Sequence, residues 1–293
     1  MTIHEANLQL LFRLYEIYDD REAANIADLV MENITGWKRI DRVTNKLVKM
    51  SDVMTQQLEK YTYELLTHKP VQYVLHEVWF AGLKLYVDEN VLIPRPETEE
   101  LVDLIIKEFK KDRHHIANRE NKILDIGTGS GCIPVAIKKY LADAEVFSMD
   151  ISDKALDVAK KNAELNEVRL NFIHADILDE QQWDEISLVD IIVSNPPYIP
   201  SNEKSLMADN VTKFEPHLAL FVPDNDALKF YKVIAAFAKK KLLPEGKIFV
   251  EVHENFAEAV KDVFSYLGDV QIKNDMQGKQ RFVVISFADH ARK

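Results

Sequence analysis

Cysteine is almost absent. The 293 residues include one, Cys132, so no internal disulfide can form, and the composition fits a reducing compartment. Its position inside a glycine-rich turn points to packing rather than catalysis. Long apolar runs are missing too, since no stretch approaches the roughly 18 residues of a membrane span. The opening Met1-Thr2-Ile3-His4-Glu5 has neither a basic region nor an apolar signal core, so a cytoplasmic protein with no membrane partner is expected. In that setting the sequons at Asn33 and Asn210 carry no meaning. Positive charge is in deficit: 37 Lys and Arg against 48 Asp and Glu give a formal net charge of -11. That argues against a broad electrostatic hold on DNA or RNA, and no direct DNA binding is expected. The local basic run Lys38, Arg39, Arg42, Lys46 and Lys49 reads as a solvated helix face, with an acidic docking partner as the lesser alternative. The 9 histidines are scattered without metal-ligand spacing, so no metal is expected. There is no Gly-x-Ser-x-Gly elbow and no Cys-His arrangement.

What is present divides into three textures. Residues 1–75 read as a small helical domain. Leu8, Leu11, Phe12, Tyr15 and Tyr18 share one face at helical spacing, two further segments repeat the pattern, and Ser51 is placed to cap the last. Residues 76–95 carry aromatic and branched residues around Ala81-Gly82, with Asp88-Glu89-Asn90 as a second turn, and predict a β-hairpin linker. From 96 to 293 a helix begins at Pro96, with Glu97, Glu99 and Glu100 at its positive end. Strand and helix then alternate, the sign of a doubly wound α/β domain. Strands are expected at 122–126, 145–149, 170–174, 189–193, 247–252, 270–273 and 282–287, with helices at 131–141, 152–165, 226–242 and 255–267. The last two strands are joined by "NDMQGKQR", too short for a crossover helix, so they should pair antiparallel. The expected fold is therefore α/β and Rossmann-like: a seven-stranded, mostly parallel sheet with one antiparallel strand, preceded by the helical domain and hairpin. This is the pattern of class I S-adenosylmethionine-dependent methyltransferase domains.

Three features at strand ends suggest an adenosine-containing cofactor. In "ILDIGTGSGCIPVAI", Gly127, Gly129 and Gly131 follow the strand that carries Asp125, and a helix begins at once. Glycine lets the backbone bend sharply and approach a ligand. The G-x-G-x-G spacing leans away from a pyrophosphate. Asp150 closes the second strand, where an acid accepts hydrogen bonds from two ribose hydroxyls. Asp176 closes the third, "FIHAD", and can accept from an exocyclic adenine amine with Ile177 against the ring.

The fourth strand ends in "VSNPPYIP". Asn195 and Pro196 each precede a proline and are biased to extended geometry, and neither proline offers an N–H. The turn presents carbonyls, Asn195 adds another, and Tyr198 adds a flat ring. That set suits an NH2 group on a planar system: two carbonyls take its hydrogens, and its lone pair is steered toward an electrophile. The sulfonium methyl of S-adenosylmethionine is such an electrophile. An amide and an exocyclic adenine amine fit this loop equally well.

The residues resemble one family closely. "PVQY" (70–73), "LIPRPETEELV" (92–102), "ILDIGTGSGCI" (123–133), "MDIS" (149–152), "VSNPPYI" (193–199), "EPHLAL" (215–220) and "GKQRFVV" (278–284) are similar to the HemK/PrmC protein-(glutamine-N5) methyltransferases over nearly the full chain. The resemblance implies methylation of the side-chain amide of glutamine in the Gly-Gly-Gln motif of class I peptide chain release factors, with S-adenosyl-L-methionine as cofactor and S-adenosyl-L-homocysteine as product. It assigns Gly127, Thr128, Gly129, Ser130, Gly131 and Asp150 to the cofactor and sets Ile177 over the adenine, beside Asp176, which is read for the cofactor from its place at the strand end. Asn195 would contact cofactor and glutamine, while Pro196, Pro197 and Tyr198 would frame the glutamine; Asn195, Pro196 and Tyr198 form the catalytic set. Arg95, Glu97 and Thr98 would border the cofactor pocket, and the helical domain would recognise the release factor. A monomer is expected. The chain departs from the family pattern at His76, Ile177, His253 and Phe256. The alternatives are a DNA adenine-N6 methyltransferase, disfavoured by the charge, and a non-catalytic cofactor-binding regulator, disfavoured by the intact reacting loop.

Overall fold

The computed structural model describes residues 1–112 and 121–288. The expected domain at 96–293 thus includes residues 113–120 and 289–293, which lie outside the described residues. The chain forms two compact units, one of Met1–Glu77 with Ala208–Phe214, the other of Val78–Met207 with Glu215–Lys293.

The first unit holds α1 (Ile3–Leu14), α2 (Asp20–Thr35), α3 (Arg39–Thr44), α4 (Asp52–Leu65) and α5 (Val71–Leu75), and α1, α2, α4 and α5 share one apolar core. Local chemistry sets the helix ends. Thr2 and Glu5 close a capping box on α1, and Asp19 and Ser51 cap α2 and α4 through side-chain oxygens. Gly36 stops α2 in the left-handed conformation at φ 69°. The fully buried face of α1 is Ile3, Ala6, Leu10 and Leu14; of the expected set, Leu11 and Tyr18 pack partly buried against the same core. Leu8, Phe12 and Tyr15 are exposed, Phe12 by 70%; both sets satisfy helical spacing, and packing selects between them. The basic run also differs from expectation at Arg42. That side chain is buried, donates to Trp37 O at 2.7 Å and pairs with Asp28. A buried guanidinium needs such partners, so Arg42 belongs to the core of this unit rather than to a solvated face.

The second unit opens with the hairpin β1 (Val78–Phe80) and β2 (Leu83–Leu85), turned at Ala81 and Gly82 with φ 48° and 75°. Two consecutive positive φ values match the right-handed twist of a two-residue hairpin. There follow α6 (Pro96–Asp112), β3 (Lys122–Ile126), α7 (Cys132–Tyr140), β4 (Glu145–Asp150), α8 (Asp153–Leu165), β5 (Asn171–His174), β6 (Val189–Ser194) and the short β7 (Ile199–Pro200). Helix α9 (Asp209–Phe214) belongs to the first unit. Then come α10 (His217–Leu220), β8 (Phe221–Val222), α11 (Lys229–Lys241), β9 (Leu242–Glu251), α12 (Ala257–Phe264), β10 (Gly268–Asn274) and β11 (Gln280–Phe287). The helix expected at 255–267 is α12 between two single 3₁₀ turns.

Seven strands form one sheet in the order β10-β11-β9-β6-β3-β4-β5. Strand β11 runs antiparallel to both its neighbours, and β9-β6-β3-β4-β5 pair in parallel. Both faces are covered, as parallel sheets require. In β6, Ile192 packs on one face while Ile191 and Val193 pack on the other. Helices α11 and α12 cover the first face; α6 and α7 cover the second.

Close packing explains one glycine. At Gly131, φ is 75° and an added Cβ would lie 2.8 Å from Ala159 Cβ on α8. Gly131→Ala is expected to destabilise the fold by about 1–3 kcal/mol, from left-handed strain and overpacking together. Urea unfolding at unchanged slope measures this; a midpoint equal to that of the unaltered protein would contradict it.

Candidate active site

The C-terminal ends of β3, β4, β5 and β6 open into one cleft, where open α/β sheets bind ligands. It is lined by Gly127, Thr128, Gly129, Ser130, Asp150, Asp176, Ile177, Asn195, Pro196 and Pro197, so ten of the sequence-predicted site residues converge. Gly131 is not in the lining; it packs against α8. Tyr198 and Glu97 are also outside the lining, whereas Arg95 and Thr98 are within it. Phe230 and Ile234 of α11 add an apolar wall that the sequence did not single out.

The glycine turn is fastened from behind. Gly127 N and Thr128 N both donate to Met149 O, at 2.9 and 3.0 Å, which ties the turn to β4. Asn162 of α8 is fully buried, and its Nδ2 donates to Ser130 O at 2.8 Å and to Tyr86 O at 2.9 Å. Asn162 also went unnoticed in the sequence, where an Asn within a helix carries no mark. On the open side, Gly127 and Gly129 have φ of 75° and 52°, and an added Cβ at either would meet nothing within 4 Å. A cradle that only a missing side chain leaves clear is what close approach of a ligand to backbone requires.

Asp150 Oδ2 accepts from Gly129 N and Oδ1 from Ser152 N, both at 2.9 Å. Those bonds hold the carboxylate at the rim. Burial nevertheless pushes its pKa upward, against the lowering effect of the Gly129, Ser152 and Ile151 amides. Ser152, not Asp150, caps α8 by accepting from Ala155 N. Asp176 lies two residues beyond the end of β5 rather than closing it, because the strand ends at His174. Its Oδ1 accepts from Leu178 N at 2.8 Å, and Ile177 is held beside it by Trp183 Nε1 donating to Ile177 O at 2.9 Å.

Beneath the turn, Asp125 is fully buried. Its Oδ2 accepts from Thr128 Oγ1 at 2.6 Å, and Ser148 Oγ in turn donates to Thr128 at 2.7 Å. Asp125 Oδ1 is buried without a hydrogen-bond partner. Burial raises this carboxyl to about 7. Cys132, beside the turn, is pushed up to about 12 by burial, which leaves the thiol inert near neutral pH and agrees with a packing role.

The reacting loop begins where β6 meets β3. Ser194 Oγ donates to Ile126 O at 2.7 Å across that junction. Asn195 Nδ2 then donates to Thr98 Oγ1 at 3.1 Å, and Thr98 Oγ1 donates to Glu251 Oε2 at 2.7 Å. Tyr198 Oη donates to the other oxygen of Glu251 at 3.2 Å. Glu251, the last residue of β9, is fully buried, and burial lifts it to about 7. A second carboxylate, Glu215, accepts from Ile93 N at 3.3 Å and pairs with Arg95 at 2.6 Å, joining two edges of the cleft. Among the described residues no group of three or more His, Cys, Asp or Glu side chains is placed to hold a metal ion, and no helix is long and apolar enough to cross a membrane.

Known proteins match this chain along its length. The family model described as Methyltransferase small domain matches residues 102–218, and the PrmC N-terminal domain matches 10–75. A release factor glutamine methyltransferase of Flavobacterium psychrophilum is 41% identical over 290 residues, covering 98% of this chain and 100% of that one. The chain belongs to the release factor glutamine methyltransferase family. A second member, from Bacteroides thetaiotaomicron, is 38% identical over 92% of this chain and 95% of its own length. The hMettl16 catalytic domain, crystallised with an RNA hairpin, matches 82% of this chain and 83% of its own with a TM-score of 0.52; at 16% identity that likeness is one of fold. The protein is thus an S-adenosylmethionine-dependent methyltransferase. Two of its departures from the family pattern lie together: His253 contacts Tyr198 and Phe256 with ring centroids 6.1 and 5.4 Å apart.

The two raised carboxyls make stability depend on pH. Asp125 and Glu251 start from ordinary values of 3.8 and 4.5 and reach about 7 when folded. Between those limits the folded state binds more protons than the unfolded chain. Their contribution is full below about 4 and is lost as pH rises through about 7. The thermal midpoint should therefore fall between about pH 5 and about pH 8, and Asp125→Asn should flatten part of that fall. Calorimetry at both pH values checks it, and a slope unaltered by the substitution contradicts the assignment.

Proposed function

We propose that the protein transfers a methyl group from S-adenosylmethionine to the side-chain amide N5 of the glutamine in the Gly-Gly-Gln motif of class I peptide chain release factors. When bound, the cofactor supplies an electrophilic sulfonium methyl. The observation that carries the reading is the orientation of Asn195. Its amide nitrogen is engaged by Thr98, so its carbonyl Oδ1 is the atom left to accept from an incoming NH2. The Pro196 carbonyl takes the second hydrogen, since neither Pro196 nor Pro197 has an N–H to offer in its place. Both hydrogens held, the amide lone pair faces the methyl group, and the positive charge that grows on nitrogen is stabilised where it forms.

On this reading, Gly127 and Gly129 let the cofactor lie against the backbone, Asp150 accepts from the ribose hydroxyls, and Asp176 and Ile177 border the adenine. The clear space at the two glycines fits such a ligand. The helical unit recognises the release factor, a role supported by the PrmC N-terminal match. We place the protein in the cytoplasm, acting as a monomer.

Labelled cofactor offered together with a release factor or with DNA tests the reaction; label in DNA alone overturns it. Asn195→Ala should lower transfer by about 10²-fold or more, by analogy with loss of a preorganised hydrogen-bonding group, while the cofactor dissociation constant stays nearly unchanged. Asp150→Ala should do the reverse, weakening cofactor binding by about tenfold, equivalent to about 1.4 kcal/mol. Calorimetry on both variants separates the roles, and an Asp150→Ala protein that binds cofactor normally refutes the ribose assignment.

A further inference from the structure

The buried carboxylate behind the reacting loop has no assigned part in the reaction. We propose that Glu251 is a positioning residue for methyl transfer, acting as a carboxylate through Thr98 to decide which end of the Asn195 amide faces the substrate. The inference rests on the reaction proposed above.

Hydrogen counting leads there. A threonine hydroxyl has one proton, and an ionised carboxylate can only accept. Thr98 Oγ1 lies 2.7 Å from Glu251 Oε2, so its proton is committed to the carboxylate. Thr98 then has only lone pairs to turn toward Asn195, 3.1 Å away, and Asn195 must meet it with NH2. Its carbonyl is therefore presented to the substrate. The direction of this chain, Asn195 to Thr98 to Glu251, is dictated by the charge at its end. The other carboxylate oxygen accepts from Tyr198, so one group orients two side chains of the reacting loop. Tyr231 Oη donates to Glu251 O at 3.0 Å and fixes the strand end that carries it.

A neutral group at 251 reverses the logic. A protonated carboxyl or an amide offers a donor of its own, and Thr98 is free to donate to Asn195. The Asn195 amide then turns over and presents NH2 to the substrate's NH2, donor against donor. The groups facing Glu251 are Thr98 and Glu97 from α6, Tyr198 from the loop, Tyr231 from α11, Cys132 from α7 and Arg281 from β11. Burial outweighs the hydrogen bonds from Thr98 and Tyr198 and the charge of Arg281, and sets the carboxyl to about 7. Transfer is therefore expected to rise as pH rises through about 7.

The test is steady-state transfer to a release factor across about pH 5.5 to 9. Glu251→Gln should lower kcat by about 10²-fold, a size typical for loss of a preorganised electrostatic arrangement, with cofactor affinity held within about twofold. The rising limb near neutral pH should vanish. Thr98→Val should cost the same, and the double variant no more than either, because the two act in one chain. Thr98→Ser, which restores the hydroxyl, should recover most of what Thr98→Val loses. A Glu251→Gln enzyme that keeps its rate or its rising limb overturns the proposal. So does additivity in the double variant. Should Glu251→Gln fail to fold, the Thr98 pair decides alone: equal rates for the valine and serine variants sink the inference. Failure of the unaltered protein to label the release factor would instead refute the proposed reaction, whatever the variants do.

Discussion

Parallel pairing of β3 with β6, registered from Ile123–Ile191 to Ile126–Ser194, is the constraint on which the catalytic unit depends. At this junction the chain turns from β3 toward β4 on one side and from β6 toward β9 on the other. The loops that leave the two strands therefore diverge and leave a crevice. The glycine turn rises from one lip and Asn195 from the other. The Ser194 side chain adds a bond to Ile126 O at the last pair of the ladder, so the two lips are fixed to each other where they leave the sheet. The apolar residues of β3 and β6 that pack on both faces make that junction rigid.

The junction is expensive to build because it also buries acids. Asp125 and Glu251 are both fully buried at strand ends, where a charge without partners would be strongly unfavourable. Each is met by hydroxyls rather than by a direct ion pair: Thr128 for Asp125, Thr98 and Tyr198 for Glu251. Hydroxyls can donate without adding a counter-charge, so the carboxyls remain poised near neutrality. A lysine in their place would hold them ionised but would fill the cleft with a competing donor. The polar network thus satisfies the interior and orients the loop with the same bonds.

The sheet was legible in the sequence because buried strands are short branched runs bounded by turn residues, as in "LVDIIV" before Ser194. The cleft was legible because its residues sit at those same boundaries. What escaped is what depends on distant parts of the chain. Thr98 and Glu251 are 153 residues apart, and a glutamate at a strand end looks like any surface acid until the fold closes over it. Asn162 is unmarked for the same reason. In α1 the failure is of another kind. Two apolar sets, one through Leu10 and Leu14 and one through Leu8 and Phe12, obey the same periodicity. Periodicity cannot rank them, and only the positions of α2 and α4 place the first set inside.

The departures at His253 and Phe256 pack together in the loop after β9, behind the reacting loop. Where the family pattern has a glycine, His253 places an imidazole edge-to-face with the ring of Tyr198, and Phe256 packs on that imidazole at a tilt. The two substitutions therefore support each other. Nδ1 of His253 accepts from Asn255 N at 3.2 Å, which gives the following turn the cap that its sequence lacks. None of these contacts touches Asn195, whose orientation is set from α6 and β9. The ring of Tyr198 is braced from the His253 side while its hydroxyl stays on Glu251, so the variation falls on packing behind the loop and leaves the acceptors at its front in place.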